Sequence, residues 1–174
     1  MPYKIGTRVE IEDEQFTSAE AEAATLVSQV TQRDWLRRGL IHPGRRGGRT
    51  AFRGIDLAEL IILRELTSHG MFVATAVDIA VLGASVVMTF AGRASGPAET
   101  ACGLGMHGHE VCRFLIIPND GDASRCNEPS EWFARRDAEQ KPASALVLDC
   151  RALGEELARR LPRPLFRTKR SEPE

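Results

Sequence analysis

The chain lacks any surplus of positive charge: in 174 residues, 23 Lys and Arg stand against 24 Asp and Glu, a formal net charge of -1. The molecule as a whole therefore has no field that would hold a polyanion, and attraction for one must come from uneven distribution. Residues 1–14 lack the uninterrupted apolar stretch of a signal peptide, which predicts a cytoplasmic protein. Long apolar runs are scarce as well. Only Met71 to Gly92 approaches the length of about 20 residues needed to span a bilayer, and it contains Asp78, Gly83, Ser85 and Thr89. A carboxylate in mid-bilayer is costly, so a buried interface helix is the better reading and no membrane partner is expected. Cysteine is limited to Cys102, Cys112, Cys126 and Cys150. In a reducing compartment these read as thiols or ligands and exclude a disulfide framework.

What is present is a local concentration of charge. Between positions 33 and 53 stand Arg33, Arg37, Arg38, Arg45, Arg46, Arg49 and Arg53, against the single acid Asp34. Acids gather in Glu10 to Glu14 and in the C-terminal half. Such polarity gives one cationic face on an otherwise neutral or acidic body.

Local signals divide the chain. Tyr3, Ile5, Val9 and Ile11 alternate with polar residues as in a short strand or arm. Thr17-Ser18-Ala19-Glu20 reads as a capping box opening a short helix to about Leu26, and Ser28 caps a second helix that Gly39 stops. Glycines flanked by extended segments from Gly44 to Arg53 describe a hairpin. Asp56 with Glu59 starts a third helix, closed by Gly70. Along Met71 to Gly92, Phe72, Ala76, Ile79, Gly83, Val86 and Phe90 form a seam with small contacts at Ala76 and Gly83, and Thr75, Asp78, Ser85 and Thr89 suggest a wetter edge. Val111 to Ile117 and Ala145 to Asp149 read as strands, Ala152 to Leu161 as an amphipathic helix, and Lys169 to Glu174 as a charged, disordered tail.

On the second helix, Gln29, Gln32 and Arg33 fall at i, i+3 and i+4, a stripe able to bond adenine through Gln and guanine through the Arg fork. Arginines at a glycine-rich hairpin tip suit phosphate or minor-groove contact.

The run Ser28-Gln29-Val30-Thr31-Gln32-Arg33-Asp34-Trp35-Leu36-Arg37-Arg38-Gly39-Leu40-Ile41, followed by Gly48-Arg49, Phe52-Arg53 and Asp56-Leu57 with Leu60 and Leu63, resembles the winged helix-turn-helix of the MerR family. The resemblance covers roughly positions 16–70. Leu26 stands where that family commonly has a turn glycine, and Gln32 where it commonly has a buried leucine. The resemblance implies a dimer on double-stranded DNA, with Ser28, Gln29, Thr31, Gln32, Arg33, Arg37 and Arg38 at the major groove and Arg45, Arg46, Arg49 and Arg53 on the wing. An excisionase-like bending factor shares the module and is the alternative. The long coiled coil that normally supports dimerisation is not evident, and the 71–92 helix is expected to replace it.

The predicted fold is α+β, with an N-terminal arm (1–15), the winged module (16–70), a connecting or dimerisation helix (71–94), a small C-terminal α/β domain (95–166) and a disordered tail (167–174). The C-terminal domain is a candidate contact for RNA polymerase or another protein. Cys102, His107, His109 and Cys112 are suitable ligand types without a standard zinc spacing, so no metal site and no cofactor are expected. Cys112 with His107 or His109 lacks a recognisable oxyanion site and an orienting carboxylate, so no enzyme is expected.

Overall fold

The computed structural model describes residues 8–96, 111–119, 122–136, 138 and 144–171. Local capping chemistry sets the first elements after strand β1 (Arg8–Asp13). The Thr17 hydroxyl accepts the Glu20 amide at 3.3 Å while the Glu20 carboxylate accepts the Thr17 amide at 2.7 Å, opening α1 (Ser18–Thr25). The Ser28 hydroxyl accepts the Thr31 amide at 3.1 Å and opens α2 (Gln29–Arg37). Strands β2 (Gly44–Arg46) and β3 (Arg49–Ala51) pair antiparallel, with Arg46 opposite Arg49. Gly47 and Gly48 join them at φ +57° and +79°. Both central residues of a type I′ turn need positive φ, which glycine adopts without steric cost. Helix α3 (Gly54–Ser68) begins two residues before the expected Asp56, whose carboxylate accepts the Arg53 amide at 2.7 Å.

Between α1 and α2 the chain turns at Leu26, which has φ +60° and is the sole non-glycine with positive φ among the described residues. A left-handed Leu is strained by about 1–2 kcal/mol, and at 57% exposure it recovers little burial in return. Leu26→Gly is expected to stabilise the fold by roughly 0.5–1 kcal/mol after allowing for the greater freedom of unfolded glycine. An unchanged or lowered melting temperature would contradict the strain.

Helix α4 (Val73–Ser95) buries one face and exposes the other. It is long and apolar enough, by length and composition, to cross a membrane. Its buried face nevertheless meets the chain's own elements. A Cβ added at Gly83 would lie 2.9 Å from Ile62 Cδ1 of α3 and 3.1 Å from Leu115 Cδ2 of β4 (Phe114–Pro118). One added at Gly92 would lie 3.2 Å from the Phe166 ring. The seam expected to bind a second chain is thus occupied within this one: Ala76, Ile79, Gly83 and Val86 are buried, while Phe72 at its start is exposed. Apolar periodicity announces a covered face without naming what covers it. Thr75, Asp78 and Ser85 form the wet edge, but Thr89 is buried and donates its hydroxyl to the Ser85 carbonyl at 2.8 Å.

The C-terminal half forms a three-stranded antiparallel sheet, with β4 between β5 (Ser124–Cys126) and β6 (Ala145–Asp149). Period-two alternation explains the continuous Leu115-Ile116-Ile117 run. Leu115 and Ile117 join the main core, whereas Ile116 packs with Cys126 and with Trp132 of α5 (Pro129–Arg136). Neither β5 nor α5 was expected from sequence. Helix α6 (Cys150–Arg160) follows β6 directly, capped by Asp149, which accepts the amides of Arg151 and Ala152.

The expected disordered tail is instead partly a strand. β7 (Phe166–Ser171) pairs antiparallel with β1, from Asp13 opposite Phe166 to Arg8 opposite Ser171. Its charged composition suggested disorder, but buried Leu165 and Phe166 anchor its start and β1 supplies the backbone partners. The main core accordingly extends from Phe16 to Phe166.

Candidate nucleic-acid interface

At 3.6 residues per turn, Gln29, Val30, Arg33 and Arg37 fall within an arc of about 100° on α2, and all four are exposed. Trp35 on the opposite side is buried in the main core. Arg33 donates from Nε to the Gln29 carbonyl at 3.1 Å, and Gln29 Nε2 donates to Glu22 at 2.8 Å. Asp34 binds Arg37 at 2.5 Å and Arg38 at 3.4 Å. The Arg37 hydrogen bond, supported by Arg38, lowers the Asp34 carboxyl below its ordinary range. Ser28 and half-buried Thr31 bond each other at the helix start, their oxygens 2.9 Å apart.

Gln32 is the exception to the stripe read from sequence. It is 2% exposed, and its Nε2 donates to the carbonyls of Val27 at 2.8 Å and Ser18 at 3.1 Å. It lies about 100° around the helix from Arg33, which turns it toward the α1–α2 junction. Gln32 therefore ties the two helices together where sequence reading made it a reader of bases. Among the described residues its Oε1 has no hydrogen-bond partner.

Arg45, Arg46 and Arg49 are exposed on the β2–β3 hairpin, and none has an ion pair among the described residues. Arg53, also exposed, lies 3.6 Å from Asp56. The tip glycines Gly47 and Gly48 have nothing within 4 Å of an added Cβ, so the backbone itself is open to close approach.

Residues 16–80 match the family model described as MerR HTH family regulatory protein. The N-terminal part of this chain is a MerR-type helix-turn-helix. That match supports DNA binding and transcription regulation. No curated protein matches the chain.

The MerR-type region is braced by residues that sequence reading missed. Arg64 of α3 donates to the Thr25 carbonyl at the end of α1 and to Glu156 of α6, both at 3.0 Å. Arg163 reaches the Gln15 carbonyl at 2.6 Å, Glu14 at 3.4 Å and the Glu20 carboxylate, with its guanidinium 4.7 Å from the Phe16 ring centre. Arg167 also pairs with Glu14. These partners are separated by 149 positions for Arg163 with Glu14 and by still more for Arg167 with Glu14, and no local pattern announces them.

The Arg163 hydrogen bond, with help from Thr17, lowers the Glu20 carboxyl from 4.5 to about 2 despite partial burial. A carboxyl depressed by folding stabilises above its unfolded pKa and loses that contribution as pH falls through the folded value. Wild type should therefore lose about 1–2 kcal/mol between pH 4.5 and pH 2 from this group, screening included. Glu20→Gln should be less stable at pH 7 and flatter across that window. Parallel acid titrations of melting for the two proteins would refute the pairing.

Among the described residues no cluster of three or more His, Cys, Asp or Glu could hold a metal. Cys102, His107 and His109 lie outside the described residues. Cys112 is half-buried two positions before β4, not within the strand. Burial pushes the Cys150 thiol up to about 12, an environment that disfavours the nucleophilic thiolate.

Proposed function

We propose that this protein is a non-catalytic, cytoplasmic transcription regulator that binds specific double-stranded DNA as a homodimer. In this reading α2 enters the major groove, where Gln29 and Arg33 meet base edges, while Ser28, Thr31, Arg37 and Arg38 contact phosphates or neighbouring bases. The β2–β3 hairpin is the wing, its Arg45, Arg46 and Arg49 lying on the backbone or in the minor groove, with Arg53 beside them. The observation that carries the reading is the placement of exposed cations without carboxylate partners, Arg33, Arg45, Arg46 and Arg49, within the MerR-type match. Elsewhere Arg64, Arg113, Arg151 and Arg160 each hold a carboxylate and, among the described residues, Arg125, Arg135 and Arg159 do not, so it is the grouping on α2 and the hairpin that distinguishes this face.

Since the α4 seam of Ala76, Gly83 and Val86 is used internally, the dimer contact lies on other surface, which includes the outer face of α4 where Val81 is exposed. A two-fold arrangement doubles the small footprint of one module and predicts a near-palindromic site. Exposed Phe133 and Val147 offer apolar surface on the C-terminal part for RNA polymerase or another protein. No observation favours the bending-factor alternative.

The test is selection of bound sequences from a random duplex pool, followed by titration of the enriched site across salt concentrations. Enrichment of a near-palindrome bound about 10³-fold or more above random duplex is expected. Recovery of an unenriched pool would sink the reading. Sedimentation at equilibrium separately tests the dimer.

A further inference from the structure

The cationic face of α2 has an apolar residue on it. Val30 is 68% exposed, more than any other large apolar residue within the MerR-type match except Phe72. Exposure of Leu26 follows from the left-handed turn it occupies, but nothing in the fold accounts for Val30. It is not at a cap, and as a β-branched residue it gains nothing from helix propensity. It shares the exposed arc with Arg33 and Arg37, lying about 60° around the helix from Arg33. A surface entering the major groove meets polar base edges and, at each thymine, one apolar group, the C5 methyl.

From this we infer that Val30 selects a thymine by packing its methyls against the C5 methyl, beside the base edge read by Arg33. The inference rests on the DNA-binding reading above and deepens it. The cations on the same arc complement the polyanionic duplex and favour it over an apolar protein partner as the occupant of this face. The α2 surface thus combines a charged fork and a small apolar contact, which together specify a step where either alone specifies one base.

The experiment uses the full chain and the site obtained by selection. Each thymine is replaced in turn by deoxyuridine, which removes only the methyl, and affinities are measured for wild type, Val30→Ala and Val30→Thr. Wild type should lose about fourfold to tenfold at one thymine per half-site, the scale of one buried methyl. Val30→Ala should bind the unmodified site correspondingly less well and no longer distinguish thymine from deoxyuridine there. Val30→Thr, which keeps one methyl, should retain part of the discrimination. The exposed position makes loss of folding an unsuitable explanation, and melting of both variants checks this. A selected site with no deoxyuridine-sensitive position, or equal sensitivity in wild type and Val30→Ala, overturns the Val30 assignment while leaving DNA binding intact. Failure to select any site overturns the DNA-binding reading itself, and the assignment with it.

Discussion

Gly154→Ala should cost this protein about 3 kcal/mol or more, a large fraction of the stability of an ordinary domain. The added Cβ would sit 2.6 Å from the Val87 carbonyl oxygen, 2.7 Å from Phe90 Cβ and 2.8 Å from the Ala91 backbone nitrogen. Two of these atoms are backbone, so no rotamer change in α4 makes room. Helices α4 and α6 must separate, and Leu153 and Leu157 of α6 then lose their seats in the main core. The loss also reaches α1, because Glu156 on α6 holds the Arg64 that binds the Thr25 carbonyl. Gly83→Ala is the matching control. Its Cβ would meet the ends of Ile62 and Leu115, both flexible side chains, and the cost should be nearer 1 kcal/mol. Thermal melts of the two variants side by side decide the matter. Equal losses would mean that the α4–α6 contact is less tight than its geometry implies.

Arg33→Ala should lower affinity for the selected site by about 10- to 100-fold, since a bidentate base contact supplies roughly 1–3 kcal/mol of discrimination. Binding to random duplex should change much less. Arg33 can be removed cleanly, because among the described residues it bonds locally to the Gln29 carbonyl and no carboxylate is orphaned. Arg49→Ala should behave differently. At the hairpin tip it is assigned to the backbone, so its loss should weaken specific and random duplex alike and reduce the slope of log affinity against log salt by about one. If Arg33→Ala weakens all DNA equally, α2 is not the base reader. If Arg49→Ala leaves the salt slope intact, the hairpin is away from the phosphates.

The contrast between what could and could not be read in the sequence follows the range of the forces involved. Thr17 with Glu20, Ser28, and the Gly47-Gly48 pair act over three or four residues, and their chemistry fixes the first two helices and the hairpin. The short apolar runs of β4 and β6 are similarly local. Gln32 was misplaced because its residue type suits a base edge, whereas its position around α2 turns it inward to two carbonyls. The long apolar helix was legible as covered, but its cover came from α3, β4 and α6 rather than from another chain. Gly154 gave no sign of its importance, since a glycine within an amphipathic helix shows its role only when a second backbone lies against it. The end of the chain was misread for a related reason. Charge predicted disorder, but the partners that order it stand near the other end.

That return of the chain has a consequence during synthesis. Leu165 lies against Gly54 at the start of α3, and Arg163 grips Glu14 and Glu20 ahead of and within α1. The region bearing the cationic face is translated long before these residues, and contacts of such sequence separation form slowly. A nascent chain emerging from the ribosome therefore carries an unbraced head until positions 163–167 have followed it out. Fragments released early would present the cationic face without the Arg163 clamp that ties α1 to the end of the chain.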